Sequence, residues 1–366
     1  MAYTPILDAV LSTWSTARFA TFANVMDRAS ESDKGRAPHV AFETVWVSDG
    51  HPFDHLGAAE VLAAERRSVG DVEILKLADD EGPWQVVALP TVHDGVFHLA
   101  SGVPTTHARW KKVVRWVASA RDVSRCFLDH RDFRAFGHQL QQFGEVEVVT
   151  ATGRSTRDQS SLFRGFPPVT GSLRPRPEEV VEEFERNSAY VRSWVLRVGD
   201  ELNFHLRRVA GATFYSGRYR LFEDQVLAPL AEAAAARRAL LTGRQRRRSV
   251  PVVPLSVVLA EDVFNSREDT GLLVDLAQGM TDMSMAVFHR NPYLHFVLTD
   301  EGDGSNFDVM VTVPDVVNVY PGFRASPASL ARVTGRIAEA FGAIRIEQAE
   351  PRPKVSLTDL VEAVLR

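Results

Sequence analysis

Apolar residues along this chain recur with two periods, and the switch between them marks out the predicted elements. HVAFETVWV (39–47) reads as a strand, whereas DHLGAAEVLAAERRS (54–68) reads as a helix with Asp54 as its N-cap. Three short strands follow in EILKL (73–77), WQVVAL (84–89) and GVFHLA (95–100). THARWKKVVRWVASA (106–120) places Trp110, Val113, Val114 and Val117 on one stripe and predicts a helix. RCFLDH (125–130), a helix at DFRAFGHQLQQFG (132–144) and a strand at EVEVVTA (145–151) come next. Beyond a connector, a helix begins at PEEVVEEFERNSAYV (177–191), and SWVLRV, LNFHLRRV and ATFYSGR read as strands. An alanine-rich helix (221–243), a strand PVVPLSVVLA (251–260), a helix REDTGLLVDLAQGM (267–280) and a strand SMAVFH (284–289) lead to a final hairpin.

That hairpin, within HRNPYLHFVLTDEGDGSNFDV (289–309), places two histidines before three aspartates and raises the question of a metal or acid/base site. If Asp300 pairs with Ser305 around EGDG, cross-strand residue numbers sum to 605. Leu298 then faces Phe307, Phe296 faces Val309 and Leu294 faces Val311, so every large apolar side chain lies on one face. His295 and Asp300 point to opposite faces and lie about 16 Å apart along an extended strand, too far to share one ion. The hairpin is the reading that survives. His295 and Asp308 remain diagonal neighbours, the one weak candidate pair for general-base chemistry. His289, before Asn291 and Pro292, reads as a strand-end or turn residue.

The pattern predicts an α+β fold: two domains of mixed or mainly antiparallel sheets with helices packed on one side. A 366-residue chain has the length for two such cores. The first domain covers 1–151, residues 152–177 form a linker or long loop rich in Arg, Pro, Gly and Ser, and the second covers 178–366. Within the second, two β-β-β-α modules (178–243 and 250–350) precede a terminal helix at 356–366. Tyr215 and Gly217 in one correspond to Tyr320 and Gly322 in the other, and 74–120 has the same element order. In topology alone, such modules are similar to TATA-box-binding-type saddles and to secretion-chaperone-type modules, a likeness of fold and not of function. In the terminal helix Ser356 and Asp359 have capping-box spacing, and Leu357, Leu360, Val361, Val364 and Leu365 form a stripe that must bury against this chain or a partner subunit.

Composition narrows the classes. The chain is 45% hydrophobic and 24% charged, as globular proteins are, and no apolar run reaches the roughly 18 residues of a membrane span. The opening MAYTPILDAVLSTWSTARFATFANVMDRA reads as an amphipathic helix and not a signal peptide. One cysteine, Cys126, allows no intrachain disulfide, and a cytoplasmic protein without membrane contact is expected. Net charge is −5, but only five of the 42 basic residues are lysines, leaving 37 arginines. Such a bias is typical of bacterial chains encoded by GC-rich genes, and it also supplies guanidinium forks for phosphate.

Candidate chemistry is sparse. GHPFDHLG (50–57) brings His51, Asp54 and His55 together, but Pro52 biases His51 away from helical geometry. LDHRDFRAF (128–136) packs Asp129, His130, Arg131 and Asp132 at a strand-to-helix junction, with Asp132 expected to cap the helix. Cys126 lies about 13 Å from His130 in extended geometry and reads as a small core residue. No phosphate loop, dinucleotide fingerprint, nucleophile elbow, zincin motif or EF-hand is present, and no cofactor is expected. Arg-rich connectors stand out instead: Arg154, Arg157, Arg164, Arg174 and Arg176, then Arg244, Arg246, Arg247 and Arg248. Phe163 and Phe166 beside Arg164 offer stacking surfaces for a base. The sequence therefore points first to a non-catalytic binding protein that engages a polyanion, above all nucleic acid. A protein- or peptide-binding subunit, chaperone-like or part of an assembly, is the second reading. A hydrolase or nuclease built around His295 and Asp308 is the third.

Overall fold

The computed structural model describes residues 21–24, 26–27, 39–55, 63–120, 122–142, 145–155, 160–166, 174–209, 211–244, 253–290, 293–322 and 324–349. They form a mixed α+β structure with two antiparallel sheets. The first sheet takes β1 (Val40–Val47), β2 (Ala63–Val69), β3 (Val72–Asp79), β4 (Gly82–Pro90), β5 (Val96–Ser101) and β6 (Val123–Arg125). It continues with β7 (Val146–Ser155), β8 (Ser161–Gly165), β9 (Ala189–Val198), β10 (Leu202–Arg207) and β11 (Gly211–Gly217). Its order is β2-β3-β4-β5-β1-β11-β10-β9-β7-β8, with β6 also on β1. The second sheet has the order β13-β14-β15-β16-β12-β17. Its strands are β12 (Leu255–Leu259), β13 (Met283–His289), β14 (Leu294–Asp300), β15 (Asn306–Val313), β16 (Val316–Pro321) and β17 (Ala343–Gln348).

β1 is the keystone of the first sheet. All eight of its residues are buried, because β5 lies on one side while β11 and β6 share the other end to end. Its alternate side chains feed two cores. Val45 and Val47 pack with Leu99, Val113 and Val117 under helix α1 (Ala108–Ser119). Phe42 and Trp46 enter the larger core with residues of α2 (His130–Gln141), α3 (Pro177–Arg186) and the long helical run that follows β11. That run comprises α4 (Tyr219–Phe222), a π-helical turn (Glu223–Leu227) and α5 (Ala228–Leu241). Helices thus cover both faces of this sheet, which corrects the expectation of helices on one side.

Two further differences have local causes. The predicted helix at 54–68 is a short 3-10 turn at Pro52–His55, and Ala63–Val69 is a strand. Pairing of AAERRSV with β3 over Ala63↔Ala78 to Val69↔Val72 overrides its helical propensity. Residues of the expected connector also enter the sheet: β7 runs on to Ser155 and pairs with β8, Gly153 facing Leu162. The first sheet therefore draws strands from both sides of residues 152–177.

The order strand-strand-strand-helix occurs three times, as β3–β5 with α1, β9–β11 with α4, and β14–β16 with α7 (Pro327–Phe341). In the last two, a glycine at the end of the third strand meets the start of the second. A Cβ on Gly217 would lie 2.0 Å from the Glu201 carbonyl oxygen, and one on Gly322 would lie 2.8 Å from that of Asn306. α6 (Arg267–Gln278) starts at a capping box between Ser266 and Asp269 and covers the second sheet with α7. The two sheets meet through α2, α7 and β17: the Ile346 amide donates to Asp129 at 3.3 Å, and the Tyr190 hydroxyl donates to the Ala340 carbonyl at 3.2 Å. No helix among the described residues is long and apolar enough to cross a membrane. The predicted helix at 356–366 lies outside the described residues, as does most of the opening segment, of which 22–24 and 26–27 are helical.

Candidate functional site

The hairpin register is the one expected, from Leu294↔Val311 to Thr299↔Asn306, with Asp300 N–H donating to the Ser305 carbonyl at 2.7 Å. Its polar tip holds a helix. Asp300 accepts from the Ser329 hydroxyl at 2.6 Å, from the Gly302 amide at 2.9 Å, and from Arg332. Asp303 accepts from the Ser326 hydroxyl at 2.5 Å, and the Ser326 oxygen in turn caps α7 by accepting from the Ser329 amide. Burial pushes the Asp300 carboxyl up, but Ser329, Arg332 and the Gly302 amide outweigh it and hold the group below the usual range. Asp300 and Asp303 therefore fix where α7 starts.

With its first turn anchored there, α7 faces α1 across a cleft of about 900 Å³. α1 is set by the stripe the sequence predicts: Trp110, Val113 and Val117 are buried on the sheet, and the Trp116 indole donates to the His55 carbonyl at 3.4 Å. Lys112, Arg115, Trp116 and Ala118 of α1 reach the cleft. From α7 come Ala328, Ala331 and Gly335, whose small size keeps that wall open, with Arg332, Arg336 and Glu339 beside them. The floor is the 123–127 segment, and Met280 and Met283 close the far side. A Cβ on Gly335 would sit 3.1 Å from the Phe127 ring, a tight contact, so glycine eases the close approach of strand segment and helix.

The charges around this cleft are mostly tied down. Arg332 pairs with Asp300, Arg336 with Glu339 at 3.1 Å, and Arg125 with the buried Glu43. Lys112 reaches Asp79 at 3.5 Å, whose carboxyl the Arg109 hydrogen bonds hold down to about 2. Basic groups outnumber acids on the lining, five (Lys112, Arg115, Arg125, Arg332, Arg336) to three (Asp282, Asp300, Glu339). The site can thus bury apolar surface, and its basic groups are mostly paired with acids of the same chain.

His295 and Asp308 do meet, Nε2 to Oδ1 at 2.9 Å, with His295 stacked on Phe288 at 5.5 Å. They lie on the face of the second sheet away from its core. Asp54 accepts from the His51 amide at 2.9 Å and pairs with Arg66, so it caps no long helix. At the next junction the cap is Asp129, with Asp132 three residues on closing a reciprocal capping box, which corrects the assignment of the cap to Asp132. Arg237 enters between these two carboxylates, 2.7 Å from Asp129, which is fully buried. Nearby, Arg208 is buried with its guanidinium 4.9 Å from the Tyr190 ring centroid. Two carboxylates and two guanidiniums make this buried group neutral as a set. Burial pushes the Cys126 thiol up to about 12. Among the described residues, no group of three or more His, Cys, Asp or Glu is placed to hold a metal ion.

Most of the described Arg-rich positions are engaged within the chain. Arg164 pairs with Glu183 at 3.1 Å, and Arg174 donates to the Phe166 carbonyl at 2.8 Å and reaches Glu147 at 3.4 Å. Arg176 is the N-cap residue of α3, its amide bonded to Glu179 at 2.9 Å, and Arg154 lies half-buried on β7 between Ser161 and Tyr190. Arg244 donates to Gln348 at 3.0 Å, on the second sheet. Phe163 is 64% exposed while Phe166 packs against the core, so the two do not form one stacking surface. Arg157, Arg246, Arg247 and Arg248 lie outside the described residues.

Sequence reasoning missed the cleft. The i, i+4 arginines 332 and 336 and the small residues 328, 331 and 335 were its one linear signal, and both patterns are common on exposed helices. Comparison with known protein families finds none that matches this chain, and comparison with curated proteins finds no relative.

Proposed function

We propose that this is a binding protein that seats an elongated amphipathic segment of a partner polypeptide in the cleft between α1 and α7. The observation that carries this reading is the cleft's shape and lining. Ala328 to Glu339 spans about 16 Å of helix at the usual rise, three turns, and the wall opposite is two turns of α1. A groove between two helices, apolar at its base with an excess of basic groups on its lining, suits a helix with apolar anchors at i, i+3/i+4 and i+7 and acids on its flank. A nucleic-acid ligand draws less support, because Arg164, Arg174 and Arg244 are already used by acceptors of the same chain.

Fluorescence anisotropy tests the reading with labelled 12-residue peptides patterned with Leu and Glu, the same pattern with Lys, and a DNA duplex. The Leu/Glu peptide is expected to bind saturably, and Ala118→Trp, which fills the cleft from an exposed position, is expected to weaken it about tenfold or more. Binding untouched by Ala118→Trp, or preference for DNA, would overturn the proposal.

A further inference from the structure

Among the described residues the two sheet paths end in four edge strands, and three of them carry charged side chains. β2 has Glu65, Arg66 and Arg67, β8 has Arg164, and β17 has Arg345 and Glu347. Such charges keep an edge from pairing with another chain. β13, MSMAVFH, contains no Asp, Glu, Lys, Arg or Pro, and among the described residues only its β14 side is paired. Ser284, Ala286 and Phe288 on its outer face are exposed, Phe288 by 65%.

We propose that β13 is a self-association edge, pairing antiparallel with β13 of a second copy of this chain about a two-fold axis at Ala286. Such an axis, normal to the sheet, keeps each face continuous, so paired residue numbers sum to 572. Met285 of one copy then meets Val287 of the other, extending the half-buried layer against the core, and Ser284 meets Phe288 on the outer face. Asp282 precedes the strand and Arg290 follows it, so antiparallel pairing brings the Asp282 end of each copy beside the Arg290 end of its mate. Both are exposed, so the two-fold brings opposite charges together at each end. The bulge near Phe288 sits at one end and leaves Met283–Val287 in regular register. This inference does not rest on the peptide-binding reading, although Asp282 and Met283 also line one side of the cleft.

Sedimentation velocity of the full chain from about 1 to 100 µM is the test, in the range where standard-sized interfaces associate. Wild type is expected to dimerise reversibly, and Ala286→Lys, which sets two ammonium groups at the axis, to be monomeric throughout. Asp282→Arg and Arg290→Asp are each expected to weaken the dimer about tenfold or more, and the double swap to restore it. Circular dichroism melts matching wild type exclude misfolding as the cause of a monomer. A wild-type monomer at every concentration, a dimer that survives Ala286→Lys, or swaps without effect overturns the proposal.

Discussion

The Ser329 hydroxyl, one turn into α7, donates to the Asp300 carboxylate at 2.6 Å, so a hairpin turn and a helix start share one polar knot. Arg332 completes it from the next turn of the same helix. Acidic residues that look in sequence like metal ligands here orient a helix, and that helix is one wall of the cleft.

Asp300→Ala removes the acceptor of three donors and leaves Arg332 facing a nearly buried gap. A loss of about 3 kcal/mol is expected in urea denaturation. The folded carboxyl is held below its unfolded value near 3.8, so its contribution is present above that pH and is lost as pH falls through the lower folded value. Asp300→Asn should therefore flatten the acid limb of stability below about pH 4.

Arg237 and Asp129 form a buried ion pair that also receives the Ile346 amide. Asp129→Ala leaves the buried guanidinium with Asp132 alone and the Ile346 amide without its acceptor, and should cost about 3 kcal/mol. Arg237→Met in that background should recover part of the loss, seen as non-additive shifts of the denaturation midpoint.

Burial pushes His98 down to about 4 and His205 to about 3. Both are neutral in the fold, and their unfolded values are near 6.5. The unfolded chain takes up the protons first, so stability is full above pH 6.5 and declines as pH falls toward those lower values. Each histidine should contribute a slope of up to about 1.4 kcal/mol per pH unit, and His98→Gln should reduce the measured slope by that amount.

Cys126 is fully buried with its thiol pushed up to about 12. Native protein at pH 8 should react with a chromogenic disulfide reagent at the global unfolding rate, and at once in guanidinium chloride.

His295→Ala removes a partly exposed pair and should change stability by no more than about 1 kcal/mol in the same denaturation assay.

What the chain's own pattern determined is the set of local elements with one buried face. Residues 294–313 alternate strictly, so a one-residue slip would expose Leu294, Phe296 and Leu298, and the register follows from sequence alone. The stripe of α1 is legible for the same reason, as is the diagonal contact of His295 with Asp308. Tertiary structure decided what lies between elements. AAERRSV has helical propensity, yet it is a strand because β3 offers an unpaired edge, and backbone pairing outweighs a propensity of tenths of a kcal/mol per residue. β1 touches partners from 50 to 174 residues away (Trp46↔Val96 to Val40↔Phe214), so the mixing of early and late strands in one sheet has no local signature. The cleft arises the same way: α1 and α7 each show one unremarkable outer face, and only long-range packing through Asp300, Phe127 and Gly335 sets those faces opposite each other.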